Sequence, residues 1–376
     1  MAILLVLVYH AGALGWRLAP YGKGGWIVLP HLGAAWLLVP PLHFGFVGVQ
    51  CFFVLSGFCI HLRAARLLAA GDPALPSVRD FFARRFWRIV PPYWIALGIF
   101  GVLAPLVARA LHLHLDAPPP SLRYQTIDLA AHALLLHTLS ARTIFSIDPA
   151  FWSLATEAQF YLVYPLLLPW LRRLGMRRVL QLALVLSLAW RVAMLAALPP
   201  TVENFMTYRV LLHALFLPRW FEWLLGCALA EAWADRSSPL DGRARSLALA
   251  GGALLLLGMG VRMHVALDKL LSDVLFASAF TAIAGAALVS PPLSGRVAAW
   301  VGHALEALGK HAYGLYLVHQ PIYDWQAIPR LARIVLGTAC GWLFSSLVER
   351  PFERRAQRIG RTNEGATAQA ALGERR

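Results

Sequence analysis

The chain has 376 residues, of which 59% are hydrophobic and only 14% are charged. A soluble domain is typically about 45–50% apolar and roughly 25% charged, so the composition argues against a soluble enzyme, a disulfide-rich secreted scaffold and a disordered regulator. The net charge of +15 would point to nucleic acid in a soluble protein, but membrane proteins concentrate Arg and Lys in their cytoplasmic loops. We therefore expect a polytopic membrane protein that contacts membrane lipid and binds no nucleic acid.

Ten apolar runs are candidate membrane spans, because a helix needs about 20 mostly apolar residues to cross a bilayer. They cover residues 2–16, 43–62, 87–111, 154–171, 177–198, 214–234, 246–262, 273–290, 308–324 and 331–348. A shorter run at 128–139 predicts a re-entrant or interfacial segment. The first run begins at Met1 without a basic lead-in, which is not typical of a signal peptide.

The distribution of positive charge predicts the orientation of these spans. Most Arg and Lys residues follow spans 2, 4, 6, 8 and 10, and cytoplasmic loops carry the positive excess in membrane proteins. The sequence thus predicts an all-α polytopic membrane protein of about ten transmembrane helices with both termini in the cytoplasm. Residues 1–353 would form the transmembrane domain, and residues 354–376 a cytoplasmic, disordered tail.

The four cysteines all lie in apolar runs, at Cys51, Cys59, Cys227 and Cys340. Free Cys commonly behaves as a small buried hydrophobic residue, and the spacing of these four does not match a zinc site. We expect reduced packing residues and no bound metal.

Two ionisable residues stand where lipid makes a charge costly and usually functional. His10 lies within the first span and is either a helix–helix contact or a general base or proton relay. Glu157 lies at the external mouth of the fourth span, where it is either stabilised by the N-terminal helix dipole or engaged with a substrate or a base. The two side chains could form a base–orienter pair, but the sequence does not show whether they meet.

A basic segment precedes the third span in RRFWRIVPPYW. Arg85 and Arg88 are three residues apart and therefore share a helical face. They are either an ordinary cytoplasmic anchor with an aromatic belt or a clamp for phosphate, whose oxygens suit guanidinium groups. Glu222 and His319 are further buried polar groups that could be structural.

Several separated segments together resemble the membrane-integral acyltransferase 3 family, whose members O-acylate surface sugars and some secreted small molecules. The matching segments are ILLVLVYHAG with His10, GVQCFFVLSGFCI, FFARRFWRIVPPYW with Arg85 and Arg88, FWSLATEAQFYLVYPLL with Glu157, PRWFEWLLGCALA, AYGLYLVHQPI and LVERPF. They run in the family's order from residue 3 to about 353. Two departures stand out: the basic residue eleven positions before the family's His would precede Met1, and Gln50 and Ala158 replace acidic residues of the family pattern.

The resemblance implies a reaction and a set of roles. The donor would be cytoplasmic acyl-CoA, with acetyl as the expected group, and the acceptor a hydroxyl of a cell-surface or exported carbohydrate. His10 would act as general base, Glu157 would orient His10 or bind the acceptor, and the donor's phosphates would bind Arg85 and Arg88. The passage would be lined by Tyr9, Ser56, Trp152 and His319.

Other functions use the same residues. A proton-coupled transporter or channel would employ the buried His10 and Glu157 as an ion path, and a sensor or assembly protein would need neither. The sequence favours an O-acetyltransferase in a bacterial inner membrane. It leaves open the acceptor, the oligomeric state, and the choice between direct transfer and an acyl-enzyme intermediate.

Overall fold

The computed structural model describes residues 2–13, 45–72, 77–111, 122–198, 204–235, 240, 242–262, 264–291, 294–325 and 328–359. Within these ranges every regular element is a helix and no β-strand occurs, so the all-α prediction is confirmed. The predicted tail at 354–376 begins inside the last helix, which continues through Ile359, and the rest of that tail lies outside the described residues.

Twelve helices carry the fold in the described part of the chain. They are α1 (Ala2–Ala13), α2 (Gly48–Ala69), α3 (Val78–Ala110), α4 (Leu122–Ala133), α5 (Trp152–Leu174), α6 (Met176–Ala197), α7 (Phe216–Ala234), α8 (Ala244–Arg262), α9 (Asp268–Val289), α10 (Arg296–Lys310), α11 (Ala312–Tyr323) and α12 (Arg330–Ile359). Short 3₁₀ turns at Gly45–Val47, His137–Leu139 and Pro149–Phe151 and a π-helical turn at Arg209–Ala214 connect them.

Seven of the described helical segments are long and apolar enough to cross a membrane: α2, α3, α6, α8, α9, α12, and α7 together with the turn before it. The other three predicted spans are helical too. Two of them, α1 and α11, have only 12 residues, and α5 includes a carboxylate and two arginines that lower its mean hydropathy. The count of about ten and the side of the termini stay predictions.

Two expected boundaries differ from the structure. The third span was expected from residue 87, but α3 begins at Val78 because the Ser77 hydroxyl accepts the Asp80 N–H at 3.3 Å and caps the helix. Arg85 and Arg88 are therefore part of the helix itself. The run at 128–139 is the end of α4 followed by a turn in which Leu135 has a φ of 58°.

The chain divides into two compact units. Unit 1 consists of Met1–Leu75, His137–Ile144 and Trp152–Leu308, and unit 2 of Pro76–Leu136, Phe145–Phe151 and Gly309–Arg376. His10, Ser56, Trp152 and Glu157 belong to unit 1, whereas Arg85, Arg88 and His319 belong to unit 2.

Unit 1 is organised by the close packing of α2 against α7. A Cβ added at Gly57 would lie 2.0 Å from the Trp223 carbonyl oxygen, and one added at Gly226 would lie 1.9 Å from the Val54 carbonyl oxygen. Only glycine permits such backbone contact, as is common where membrane helices cross. This contact explains the small residues of the SGF segment and brings Ser56 and Trp223 together.

Unit 2 is held by tyrosine hydroxyls that bind backbone carbonyls. Tyr93 of α3 donates to the His132 carbonyl of α4 at 2.9 Å, and Tyr316 of α11 donates to the Ala150 carbonyl at 2.8 Å. Gly314 of α11 meets Ser345 of α12 so closely that a Cβ would lie 2.6 Å from the serine Cβ. These contacts fix α3, α4, α11 and α12 within the unit.

Candidate functional site

The central polar cluster of unit 1 surrounds the carboxylate of Glu157. Ser56 donates its hydroxyl to Glu157 Oε1 at 2.7 Å, and the Tyr161 hydroxyl donates to the same oxygen. The indole N–H of Trp223 donates to the Ser56 hydroxyl at 3.3 Å. Both carboxylate contacts fall on Oε1, and within the described part of the chain no side chain donates to Oε2. One carboxylate oxygen is thus held in place while the other remains an acceptor.

Three helices supply this Glu157 cluster. Glu157 and Tyr161 are one turn apart on α5 and therefore share a face. Ser56 comes from α2 and Trp223 from α7, at the level where the two glycines let those helices touch. Donation from Trp223 to Ser56 polarises the hydroxyl and strengthens its own donation to Glu157.

Trp152, which we expected to line the passage, contacts Phe53 and Arg219 next to the Glu157 cluster. Its ring meets the edge of Phe53 at a centroid distance of 6.3 Å. The guanidinium of Arg219 lies 5.6 Å from the Trp152 ring centroid and 5.4 Å from that of Phe53. Cation–π contacts of this kind hold an arginine in place where water is scarce.

A buried ion-pair network forms the neighbouring layer of unit 1. Arg219 binds Glu222 at 2.9 Å and Asp273 at 3.1 Å, and Arg191 binds Asp273 at 2.9 Å. The Gln50 amide donates to Asp273 at 2.6 Å. Two cations and two carboxylates balance, so the network joins α2, α6, α7 and α9 without an uncompensated charge.

Sequence reasoning identified Glu222 in this layer but missed Arg191, Arg219 and Asp273. The signal was present, because each is an ionisable residue inside a predicted span, a position that usually marks an ion pair or a site. Gln50 departs from the acidic family pattern, and here its neutral amide faces a carboxylate that an acid would repel.

His10 and Glu157 lie at different levels of unit 1. The helix α1 runs antiparallel to the start of α2, because Gly48 faces Ala2 while Gly45 faces Tyr9. Ser56 follows Gly48 by eight residues, or about 12 Å of helix, on the side away from Gly45. The structure therefore does not bring His10 and Glu157 together as a base–orienter pair. The His10 ring lies beside Tyr9, with centroids 5.2 Å apart.

In unit 2, Arg85 and Arg88 lie in an arginine-rich aromatic surface. The Arg85 guanidinium lies 5.5 Å from the Phe81 ring centroid, and Arg88 is exposed. Trp87 stacks on Phe352 of α12 at 6.2 Å. The exposed arginines of α12 nearby are Arg354, Arg355 and Arg358, and the Arg355 guanidinium lies 3.7 Å from the Trp87 ring centroid. Such a surface can bind an anionic group through charge and bidentate hydrogen bonds.

His319 is fully buried in unit 2 and donates within its own helix. Its Nδ1 lies 2.9 Å from the Tyr316 carbonyl oxygen and 3.0 Å from that of Leu315. A carbonyl can only accept, so Nδ1 carries the proton. Its place in a passage stays a prediction.

Asp148 is a buried carboxyl in the turn before α5. Its Oδ1 accepts the Ala150 N–H at 2.8 Å, which caps the following turn. Burial, together with the nearby Asp324 carboxyl, raises the pKa of Asp148 well above its ordinary range. Burial therefore favours the neutral form of this carboxyl. Among the residues the structure describes, no group of three His, Cys, Asp or Glu side chains is placed to hold a metal ion.

A family model described as "Acyltransferase domain" matches residues 1–348. The peptidoglycan O-acetyltransferase OatA of Listeria monocytogenes serovar 1/2a is 27% identical over 85% of this chain and 52% of its own length. The exopolysaccharide production protein ExoZ of Rhizobium meliloti is 28% identical over 87% of this chain and 95% of its own length. The Bacillus subtilis protein YrhL, provisionally named a peptidoglycan O-acetyltransferase, is 29% identical over 74% of this chain and 44% of its own length.

The chain thus spans about half the length of the two peptidoglycan-related proteins. No solved structure matches it significantly. The apolar helices and these relatives together identify an integral membrane protein.

Proposed function

The chain belongs to the acyltransferase family whose model covers residues 1–348, and from this premise we propose that it moves an acetyl group from acyl-CoA to a hydroxyl of a cell-surface or exported polysaccharide. Three relatives carry names that refer to peptidoglycan or exopolysaccharide, which supports a polysaccharide acceptor. The membrane would be the bacterial inner membrane, which has acyl-CoA on its cytoplasmic side and exported glycans on the other.

One observation carries the acceptor site: Glu157 is fixed through Oε1 and retains Oε2 as an acceptor. An acceptor hydroxyl other than the one that is acetylated would donate to Oε2 and be positioned by the same carboxylate that Ser56 and Tyr161 hold. Because His10 lies at another level of unit 1, this role of binding the acceptor replaces the role of orienting His10.

The reaction forms an ester C–O bond and breaks the thioester C–S bond. His10 acts as general base and removes the hydroxyl proton as the oxygen attacks the thioester carbonyl. The departing sulfur takes up one proton, so the overall reaction consumes none. Arg85 and Arg88 bind the phosphates of the donor, whose charge suits guanidinium groups.

Purified protein in nanodiscs, supplied with acetyl-labelled acetyl-CoA and either exopolysaccharide or peptidoglycan strands, tests the proposal. We expect free CoA thiol and labelled polysaccharide to appear together, and both to be lost in His10→Ala. Proton flux in liposomes without CoA release would overturn the proposal in favour of the transporter or channel. Unchanged transfer in His10→Ala would remove the proposed base.

A further inference from the structure

Three arginines near the end of α12 have no role in the reaction described so far. Arg354, Arg355 and Arg358 are all exposed. Successive residues of an α-helix are about 100° apart around its axis, so these three side chains leave α12 within a sector of about 100°. The Glu353 side chain leaves the helix on the other side of Arg354, away from Arg355 and Arg358. We call Arg354, Arg355 and Arg358 the α12 arginines.

The α12 arginines place like charges side by side. Arg354 and Arg358 are four residues apart and Arg355 and Arg358 are three apart, spacings at which helical side chains are neighbours and like charges repel. The helix C-terminus offsets part of this repulsion, because its partial charge is negative. The Arg355 guanidinium lies 3.7 Å from the Trp87 ring centroid and is held there by the indole. A bound anion would therefore relieve the repulsion and meet a guanidinium that is already positioned.

The α12 arginines adjoin the surface to which we assign the phosphates of the donor. Trp87, which Arg355 contacts, stacks on Phe352 and directly precedes Arg88 in α3. Arg88 also lies close enough to Glu349 of α12 for the two charges to interact. All these residues belong to unit 2. The arginines of α3 and of α12 thus line one continuous surface.

The donor offers two separate anionic groups to such a surface. Coenzyme A carries a diphosphate between its nucleoside and its pantetheine arm, and it also carries a phosphomonoester on the ribose 3′ oxygen. A phosphomonoester has three strong acceptor oxygens and a charge near −2 at neutral pH. Guanidinium groups bind phosphate oxygens through paired N–H donors. Two sets of arginines on neighbouring helices therefore match the two phosphate groups of one donor.

We propose that the α12 arginines bind the ribose 3′-phosphate of the acyl-CoA donor while Arg85 and Arg88 bind its diphosphate, an assignment that rests on the proposed function. The α12 arginines then determine donor specificity, because they select a donor with the phosphomonoester over the same donor without it. The phosphate of a lipid headgroup has related chemistry, and cytoplasmic arginines attract anionic lipids. A headgroup binds through a phosphodiester, so removal of the 3′-phosphate from the donor distinguishes the two sources.

The test compares the affinity for CoA with that for 3′-dephospho-CoA, measured by calorimetry on the full chain in phosphatidylcholine nanodiscs. The unsubstituted protein should bind CoA at least about tenfold more tightly, because only CoA offers the phosphate to the charge-assisted bonds of the α12 arginines. The double variant Arg354→Ala/Arg358→Ala should lose this preference and bind 3′-dephospho-CoA within about twofold of the unsubstituted protein. Its thermal unfolding midpoint should not fall, because like charges have been removed.

The matched control is Arg177→Ala/Arg178→Ala, which removes two neighbouring exposed arginines from unit 1. It should keep the full preference for CoA. A similar loss of preference in this control would indicate a general charge effect and overturn the assignment to the α12 arginines. Equal affinity of the unsubstituted protein for the two nucleotides would also overturn it, as would equal weakening of both in the α12 double variant.

Two further measurements separate the other outcomes. In native mass spectrometry with phosphatidylglycerol, loss of bound lipid from the α12 double variant while its preference for CoA is intact would assign these arginines to headgroups and overturn the proposal. Acetyl transfer by the unsubstituted protein tests the proposed function itself. Equal transfer from acetyl-CoA and its 3′-dephospho form would reject only the 3′-phosphate site. Absence of both transfer and CoA binding would reject the proposed function and this site with it.

Discussion

The Ser56 hydroxyl donates to Glu157 Oε1 at 2.7 Å. This bond joins α2 to α5 through two residues that are 101 positions apart in the sequence. The same hydroxyl accepts the Trp223 indole N–H, so one serine oxygen connects α2, α5 and α7. The position of the carboxylate depends on this oxygen, which makes Ser56 the first residue to test.

Ser56→Ala should lower kcat/KM for polysaccharide acetylation by about tenfold. Loss of the hydroxyl releases one of the two donors on Oε1 and leaves the Trp223 N–H without its partner, which costs about 1–3 kcal/mol. The measurement is label transfer at limiting acceptor. Ser187→Ala removes a comparable buried bond to the Pro218 carbonyl and should leave kcat/KM unchanged. Equal effects of the two variants would show that only stability had changed.

Glu157→Gln should reduce transfer by about a hundredfold or more while the protein remains folded. The amide keeps the volume and an acceptor oxygen for Ser56, but it removes the negative charge that a sugar hydroxyl would meet, and charge-assisted bonds are roughly twice as strong as neutral ones. Acceptor KM and kcat, measured at saturating acetyl-CoA, separate binding from chemistry. Retained transfer in this variant would exclude Glu157 as the acceptor ligand.

Arg88→Ala should raise the KM for acetyl-CoA at least about tenfold with little effect on the KM for the acceptor. The side chain is exposed and offers its donors to phosphate, and the effect should shrink as salt screens the charge. Donor titrations at low and high salt measure it. Arg178→Ala, an exposed arginine of unit 1, is the matched control. A matching rise in that variant would indicate a general charge effect.

Asp273→Ala should lower the free energy of unfolding by ~3–5 kcal/mol, because it leaves the buried Arg191 and Arg219 without a shared carboxylate. Thermal unfolding in detergent reports the change. Glu306→Ala removes an exposed carboxylate and should shift stability by no more than about 0.5 kcal/mol. A small loss of stability in Asp273→Ala would mean that Glu222 alone compensates the charges of Arg191 and Arg219.

Asp148 should make stability depend on pH. Burial raises the pKa of this carboxyl, so the folded state keeps a proton that the unfolded chain releases near its ordinary pKa of about 4. The stability from the neutral form is fully present below that pH and is lost as pH rises through the raised folded pKa. Asp148→Asn retains the cap on Ala150 and cannot ionise, so its unfolding midpoint should fall less with rising pH. Parallel pH curves for the two proteins would contradict this.

Sequence patterns located most helices, because apolar runs of about 20 residues and loop charges are local signals. They also led us to propose Ser56, Glu157, Arg85 and Arg88 as site residues, which stay predictions. They could not show that Ser56 meets Glu157 or that Arg191 meets Asp273, since each pair is far apart in sequence and joined only by helix packing. The contacts of His61 with Tyr164 and Glu231 were missed for a further reason: His61 and Glu231 stand near the ends of apolar runs, where an ionisable residue resembles an ordinary interfacial anchor.

The glycine contact between α2 and α7 makes the site vulnerable at positions that have no functional group. A methyl group at Gly57 would press on the Trp223 carbonyl, and one at Gly226 on the Val54 carbonyl, so the helices would have to separate. Separation would draw the Trp223 indole away from Ser56 and the Glu231 carboxylate away from His61. Gly57 and Gly226 each carry a hydrogen atom where other residues carry Cβ, and this sets the distance between α2 and α7. Both the Glu157 cluster and the contact of His61 with Glu231 depend on that distance.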